Sequence, residues 1–252
     1  MFIFDSHAHL KHGDARRTEY TAEQVIYAMD GAGISRSVVF AMATTTRRAG
    51  EMAAEAARRY PDRLVPYAYA LPHYERAVAD ELEAQIRDWG FRGIKLHVGE
   101  CSLAGYVSDP VFALAGRYGV PCLVDFGGRL ETCREVLQAH PHTNVIIAHF
   151  GRYLSEDALL LDSFIGLAET YPNALLDASG VVLGSKIEEA ARRVGAERIL
   201  FGTDGPHTLG HASAEGTVAY ARAAIERIEA LSLDLPEKEA ILGGNIARLL
   251  GV

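Results

Sequence analysis

The sequence predicts an α/β fold, namely a single (β/α)8 TIM barrel that spans residues 1–252 and has a C-terminal helix. Short apolar runs rich in β-branched residues recur eight times, and segments with Ala, Glu and Arg at helical spacing separate them. Such alternation is typical of a parallel sheet with crossover helices. A length of 252 residues suits eight such units. A doubly wound open sheet is the alternative, but it usually has fewer units and a phosphate-binding loop.

The predicted strands are spread along the whole chain. They cover residues 2–4, 37–41, 64–70, 93–97, 121–126, 144–149, 174–178 and 198–203. Helical patterns are clearest in EMAAEAARRY, ERAVADELEAQIRDWG and IEEAARRVGAERI. Glycine or proline residues that should end helices are Gly31, Pro61, Gly90, Gly119 and Pro141. No linker-like or low-complexity tract interrupts the pattern, so one domain is expected.

Composition narrows the class of protein. Apolar residues make up 49% of the chain and charged residues 23%, as in an ordinary globular protein. The net charge is −8 and Lys and Arg are scattered, so no nucleic acid partner is expected. The three cysteines lack CxxC spacing, which favours a reducing cytoplasm. Neither a signal peptide nor a membrane span is expected. We therefore expect a cytoplasmic protein that acts on a small molecule, and a homodimer is compatible with these features.

The opening MFIFDSHAHL places two histidines, His7 and His9, two residues apart after an apolar run. Residues at i and i+2 of a strand point to the same face, as two ligands of one metal must. Near the other end of the chain, ILFGTDGPH places Asp204 after another apolar run. Imidazole and carboxylate are ligands for zinc and similar divalent ions.

Polar residues also end several of the other predicted strands. Lys95 and His97 end the fourth strand, Asp125 the fifth and His149 the sixth, while Asp177 lies in the seventh. Each has an ordinary explanation: a solvated histidine, a lysine paired with a carboxylate, or an aspartate that caps the next helix. The active site of a TIM barrel, however, lies at the carboxyl ends of its strands. Burying so many ionisable groups there is costly unless they are paired or bind a metal.

The segments DSHAHL, GIKLH, NVIIAHFG, ILFGTDGPH and ILGGNIARLLG resemble the amidohydrolase superfamily. The resemblance is greatest to its amidohydrolase-related branch of small metal-dependent hydrolases and aminocarboxymuconate-semialdehyde decarboxylase-like enzymes. It runs from residue 5 to residue 251. It implies a distorted TIM barrel with one divalent metal, expected to be Zn²⁺, with Mn²⁺ or Fe²⁺ as alternatives. The implied metal ligands are His7, His9 and Asp204.

Three further positions follow from the resemblance. His149 matches a histidine that helps to activate water in mononuclear members and binds a second metal in binuclear ones. Lys95 matches a fourth-strand lysine that is carboxylated in some members, but the GIKLH context is of the non-bridging type. Asp125, in LVDFG, stands where the family usually has a histidine. It is either a metal ligand that shifts the preference toward manganese or iron, or it is no ligand and His149 takes its place, or metal binding is weakened or lost.

A mechanism follows from the same assignments. A metal-activated water would attack a carbonyl carbon, and Asp204 would take its proton and pass it to the leaving group. His149 or His97 would polarise the carbonyl oxygen. The loops after the fifth and sixth strands carry Arg129 and Arg152, which with Lys95 are the candidate substrate-binding residues. Guanidinium suits carboxylate, so a small carboxylate-bearing substrate is expected.

Three functions remain open from the sequence. The first is hydrolysis of a small amide, ester or lactone. The second is metal-dependent, non-oxidative decarboxylation of an unsaturated or aromatic acid. The third is a barrel that has lost catalysis and serves as a binding protein.

Overall fold

The computed structural model describes residues 1–207 and 213–252, in which parallel strands alternate with helices. One sheet runs in chain order through β1 (Phe4–Lys11), β2 (Arg36–Ala41) and β3 (Leu64–Pro66). A second sheet, also in chain order, contains β4 (Ala68–Tyr69), β5 (Ile94–His97), β6 (Cys122–Asp125), β7 (Val145–Ile147), β8 (Ala174–Asp177) and β9 (Ile199–Leu200). Every neighbouring pair within these sheets is parallel.

Backbone hydrogen bonds join the two sheets at both of their edges. At one edge, β3 and β4 follow each other with only Tyr67 between them, and its N–H donates to the carbonyl of Val39 at 3.0 Å. At the other edge, the N–H of Ser6 donates to Phe201 at 2.9 Å and the N–H of Asp204 donates to His7 at 2.8 Å. The last strand is thereby linked back to the first, and the predicted TIM-barrel class is confirmed.

Helices lie between successive strands, except between β3 and β4, and further helices follow β9. They are α1 (Ala22–Ala32), α2 (Thr46–Arg59), α3 (Ala79–Trp89), α4 (Gly105–Tyr118), α5 (Leu130–Ala139), α6 (Ala158–Thr170), α7 (Gly184–Val194), α8 (Ala214–Glu229), α9 (Leu235–Glu239) and α10 (Asn245–Leu250). A left-handed turn covers Ala148–Gly151, a 3₁₀ turn covers Ala196–Arg198 and a π-helical segment covers Ala240–Gly244. In the described part of the chain, no helix is both long and apolar enough to cross a membrane.

Glycine has two different uses at the predicted helix ends. Gly90 and Gly119 end α3 and α4 in the left-handed conformation, with φ of 75° and 65°. The predicted stop at Gly31 is wrong, because α1 continues to Ala32 and Gly33 is its cap. A Cβ on Gly31 would lie 2.5 Å from the Val218 side chain. This glycine therefore allows α1 and α8 to approach each other.

Several predicted strands differ from the structure, and the one predicted over residues 64–70 is divided at Tyr67 into β3 and β4. The first strand is Phe4–Lys11, not residues 2–4, because apolar runs do not reveal a strand whose inward-facing side chains are polar. The sixth predicted strand ends early, at Ile147, since His149 and Phe150 have positive φ of 57° and 49°. The eighth shrinks to Ile199–Leu200. In the first, sixth and eighth strands the error falls where the chain bends toward the carboxyl end of the barrel.

Candidate metal centre

The first strand and the segment after β9 bring together the three predicted metal ligands. The Nε2 atoms of His7 and His9 lie 3.0 and 2.9 Å from the same atom, Oδ1 of Asp204. The two histidines therefore point to the same side of β1, as their spacing predicts. Asp204 has φ of 57°, a left-handed conformation that is uncommon for a residue other than glycine. Its strained backbone turns the carboxylate toward β1.

His149 enters the same place from the turn after β7, and its Nε2 lies 4.0 Å from Oδ1 of Asp204. His7, His149 and Asp204 form a group in which each residue offers one ligand atom within 4.8 Å of the others. His9 lies outside this compact group, although it shares the oxygen of Asp204. The structure thus contains a His–His–Asp group that could bind a metal. The individual ligand assignments stay predictions.

Hydrogen bonds at Nδ1 set the tautomers of the two histidines in this group. Nδ1 of His7 lies 2.8 Å from Oδ2 of Asp177, and Nδ1 of His149 lies 2.9 Å from the carbonyl oxygen of Ser179. Both partners accept hydrogen bonds, so we place the proton on Nδ1 in each ring. The Nε2 lone pairs are then free to face Asp204, as metal-binding imidazoles require.

His9 has the same orientation with a weaker anchor. Its Nδ1 lies 3.4 Å from the carbonyl oxygen of Lys11, and its Nε2 faces Asp204. Burial, together with the charge of His12 on a ring stacked at 4.1 Å, holds the pKa of His9 well below its usual range. His9 is therefore a neutral imidazole at neutral pH, in the form that binds a metal.

The charges at Asp204 and His7 also bear on metal binding. Burial opposes ionisation of Asp204, but His149 and His7 outweigh it and hold the pKa of that carboxyl well below its usual range. For His7, burial and Lys95 disfavour the charged form, but Asp177 and Asp204 outweigh them and raise the pKa. A metal would therefore compete with a proton for Nε2 of His7.

Lys95 lies directly beside this group. Its side chain is 1% exposed, its Nζ is 3.2 Å from Nε2 of His7 and it packs over the Phe40 ring. Burial lowers the pKa of Lys95, and nearby carboxylates, Asp125 first among them, oppose the shift. Lys95, the predicted substrate-binding lysine, thus contacts His7, which is a candidate metal ligand.

Asp125 and His97 form a separate pair at the ends of β6 and β5. Nε2 of His97 lies 3.1 Å from Oδ2 of Asp125. The N–H of Gly99 donates to Nδ1 of His97 at 2.9 Å, so the imidazole proton is on Nε2 and faces the carboxylate. Burial opposes ionisation of Asp125, but this hydrogen bond and the charges of His149 and Lys95 keep its pKa well below the usual range.

The alternative role of Asp125 as a helix cap does not match the structure. Its Oδ1 accepts the N–H of Gly127 at 2.8 Å, but α5 begins only after Arg129, which is the N-cap residue. Oδ2 of Asp125 lies 3.7 Å from Nε2 of His149. Asp125 is therefore next to the compact group without belonging to it, and its role as a metal ligand stays a prediction.

The two loop arginines lie at the same end of the barrel. Arg129 follows β6 and Arg152 follows β7, and both side chains are exposed. The N–H of Gly128 donates to the carbonyl of Gly151 at 2.7 Å, so the two loops are joined. Both arginines thus follow strands whose ends carry candidate site residues, and their contact with a substrate stays a prediction.

Several residues of the site carry no assigned role in the sequence analysis. Asp177 is fully buried and orients His7; its position at a strand end was the available signal. Asp5 accepts hydrogen bonds from the backbone N–H groups of His7 and Thr203, each at 2.9 Å. Burial raises the pKa of Asp5 to about 7. Asp5 thereby fixes β1 to the segment that carries Asp204, a role that only the three-dimensional structure reveals.

The fold and the site define this chain as a TIM-barrel protein with a candidate metal centre at the carboxyl ends of its strands. A family model described as Amidohydrolase matches residues 4–252, and the chain belongs to the amidohydrolase family. The family consists of enzymes and includes hydrolases and decarboxylases. The resemblance inferred from the sequence motifs is confirmed.

Solved structures similar to this chain have the same fold. An uncharacterised TIM-barrel protein from Bordetella bronchiseptica aligns with a TM-score of 0.75 at 21% identity, over 100% of this chain and 99% of that one. A probable 2-pyrone-4,6-dicarboxylic acid hydrolase from Acinetobacter baumannii aligns at 0.72 and 19%, over 100% of both chains. The 2,6-dihydroxybenzoate decarboxylase from Rhizobium aligns at 0.73 and 18%, over 99% and 98%. No curated protein is significantly similar in sequence.

Proposed function

We propose that this chain is a zinc-dependent hydrolase that acts on a small amide, ester or lactone bearing a carboxylate. The observation that carries the proposal is the convergence of imidazole Nε2 atoms on Asp204 while each Nδ1 is held by a protein oxygen. This donor set of nitrogen and carboxylate oxygen suits Zn²⁺. Mn²⁺ or Fe²⁺ would be favoured if Asp125 were a further ligand.

Asp204 is the proposed ligand and general base. A divalent cation bound at this group lowers the pKa of water and polarises a carbonyl group. Oδ1 of Asp204 faces His7 and His9, whereas Oδ2 faces Nε2 of His207 at 3.4 Å. One oxygen is thus positioned for the metal, and the other can accept a proton from water and return it to the leaving group.

The two remaining catalytic candidates have different capacities. His97 keeps its proton on Nε2, where it faces Asp125, and its side chain is 31% exposed. To polarise a substrate carbonyl, it would have to exchange Asp125 for the substrate oxygen. His149 presents a lone pair at Nε2, so it serves the metal or the water. Lys95, Arg129 and Arg152 are the proposed partners of a substrate carboxylate next to the reacting group.

Metal analysis is the experiment that tests the proposal. Protein purified without chelator should contain about one metal ion per chain, as expected for one mononuclear site. His9→Ala should lose it, and His142→Ala, which changes an exposed histidine, should retain it. Wild-type protein that holds no metal and takes none up when Zn²⁺ is added would contradict the proposal and favour a barrel that has lost catalysis.

A substrate panel then identifies the reaction. Hydrolysis of a lactone or ester releases an acid and consumes base, whereas decarboxylation releases CO₂. A panel of lactones, amides and unsaturated acids should therefore be scored for both products with the zinc-loaded protein. CO₂ release without hydrolysis would reassign the chain as a decarboxylase.

A further inference from the structure

A cavity of about 880 Å³ opens beside the metal group, between the loop after β1 and the start of α8. Two of its lining residues also contact the metal group. His207 approaches Oδ2 of Asp204 at 3.4 Å, and the Tyr153 ring packs against His149 with centroids 5.0 Å apart. The cavity is therefore adjacent to the place where the reaction is proposed, and its volume is that of a small-molecule site.

Aromatic rings form much of the cavity wall. Tyr20, Tyr27 and Tyr153 all line it. The ring of Tyr153 is inclined by 29° to that of His207, with centroids 6.4 Å apart. Gly180, at φ of 63°, leaves room for this tyrosine, because a Cβ there would lie 2.4 Å from the Tyr153 ring. Such a wall suits a flat ring, because aromatic rings interact best in offset-stacked or edge-to-face arrangements.

Arg16 and Asp14 are the two charged side chains of the cavity wall that have no partner of opposite charge within residues 1–207 and 213–252. The three acidic side chains of the wall are each held by another residue. The pairs are Glu19 with Lys11, Glu23 with Arg59, and Asp14 with Thr18. Arg16 is exposed in the same wall and forms no salt bridge within residues 1–207 and 213–252. An anionic group on the ligand would pair with its guanidinium.

We propose that this cavity binds the non-reacting part of the substrate, a planar ring whose anionic group faces Arg16. The proposal rests on the proposed function, because it assumes that the reacting group lies at Asp204. Arg16 and Tyr27 then determine specificity, and Tyr153 forms the wall between the ring and the metal group. Neither Arg129 nor Arg152 lines this cavity, so Arg16 supplies a separate contact.

The probe for this site is 2-naphthoate, titrated into zinc-loaded protein and followed by ligand-observed NMR. Two comparison compounds test the two features of the wall. Naphthalene-2-methanol keeps the ring without the charge, and adamantane-1-carboxylate keeps the charge without the flat ring. We expect 2-naphthoate to bind about tenfold more tightly than the neutral compound, as a charged hydrogen bond provides, and also more tightly than the adamantane acid.

Three variants locate the binding. Arg16→Gln should weaken 2-naphthoate binding by about tenfold or more, and Tyr27→Leu by roughly two- to tenfold. The matched control is Arg17→Gln, which removes the neighbouring arginine of the same loop. Arg17 is exposed but does not line the cavity, so its variant should bind as the wild type does. Melting temperatures of the three variants establish that each is folded.

Three outcomes of these titrations would contradict the proposal. Equal Kd values for Arg16→Gln and Arg17→Gln would exclude Arg16 as the partner of the anion. Binding of the adamantane acid as tight as that of 2-naphthoate would exclude a site selective for flat rings. A wild type that does not bind 2-naphthoate would overturn the proposal as a whole.

Repeating the titration after metal removal separates the two proposals. If the protein takes up no metal but still binds 2-naphthoate in a way that depends on Arg16, the cavity proposal is supported and the hydrolase proposal is rejected. If the protein is a metal-dependent hydrolase but its Arg16→Gln variant binds 2-naphthoate as the wild type does, the hydrolase proposal is supported and the cavity proposal is rejected.

Discussion

Two histidine–aspartate pairs lie at the carboxyl end of the barrel, and they differ in where the imidazole proton is. In the first pair, Nδ1 of His7 donates to Asp177, so Nε2 offers a lone pair. In the second, Nδ1 of His97 accepts from the backbone of Gly99, so Nε2 carries a proton that faces Asp125. The same residue types at the same rim thus present a metal-binding atom in one place and a hydrogen-bond donor in the other.

The partner of Nδ1 thus decides what a histidine at this rim can do. A carboxylate or carbonyl at Nδ1 leaves Nε2 available for a cation, whereas a backbone N–H at Nδ1 excludes it. His97 and Asp125 satisfy each other, and the compact group of ligand atoms forms around Asp204 instead.

The largest difference between the two pairs should appear when each histidine is removed. His7→Ala should lower Zn²⁺ affinity by about 100-fold or more, because it removes a ligand and not only a neighbour of one. His97→Ala should change the affinity little, since its Nε2 already carries a proton. Competition with a chromogenic chelator measures both. Equal losses in the two variants would show that both pairs belong to one metal site.

Replacing the aspartates of the two pairs should change metal affinity by a smaller factor than replacing the histidines. Asp177→Asn removes the charge that orients His7, and we expect a loss of roughly 10- to 100-fold in metal affinity. Asp125→Asn keeps a hydrogen-bond acceptor for His97 and should cost less. If Asp125→Asn instead loses as much as Asp177→Asn, the prediction of Asp125 as a ligand is supported. Asp125→His would then be expected to retain or tighten zinc binding.

Sequence patterns predicted the barrel and one side of this site. The two-residue spacing of His7 and His9 was enough to place both on one face of the first strand, because strand geometry fixes which side chains share a face. The order of apolar runs gave the parallel strands. These features depend on local periodicity, which a single sequence displays.

The remaining features depend on bends and on distant contacts. His149 joins the compact group because a left-handed turn follows β7. The pattern of apolar residues does not predict such a turn. Asp177 lies 170 residues from His7 in the chain, so its role as the partner of Nδ1 could not be derived from spacing. The pairing of Asp125 with His97 depends on a backbone N–H from the turn at Gly99.

Substitution of the loop arginines tests which strand end lies nearer a substrate carboxylate. Arg129 follows the strand of Asp125, and Arg152 follows the strand that leads to His149. Arg→Lys keeps the charge but loses the fork of donors, so the change at the contacting residue should raise KM by about tenfold. Arg134→Lys is the control, because Arg134 pairs with Glu131 on α5. Unchanged kinetics in both loop variants would exclude these arginines as carboxylate partners.

The smallest effect on metal binding is expected at Lys95, which lies between the two pairs. Its Nζ donates toward Nε2 of His7 at 3.2 Å, so the lysine and a metal compete for one lone pair. Lys95→Met should therefore leave zinc affinity unchanged or raise it by up to about fivefold, as about 1 kcal/mol of relieved repulsion would. Activity should fall if Lys95 contacts the substrate. Lys186→Met, at a lysine paired with Glu189, is the control for the substitution.

The sign of this change separates two roles for the lysine. A lysine that lies beside the site without binding the metal repels the cation. Its removal should therefore not weaken metal binding. A lysine that is carboxylated and bridges two metals would give the opposite result, with a large loss of metal in Lys95→Met and a metal content near two per chain in the wild type. The hydrogen bond from Nζ to Nε2 of His7 needs a free amine and favours the first role, whereas the burial that lowers the pKa of Lys95 favours the neutral amine that carboxylation requires. A chelator titration of the folded variant decides between the two roles.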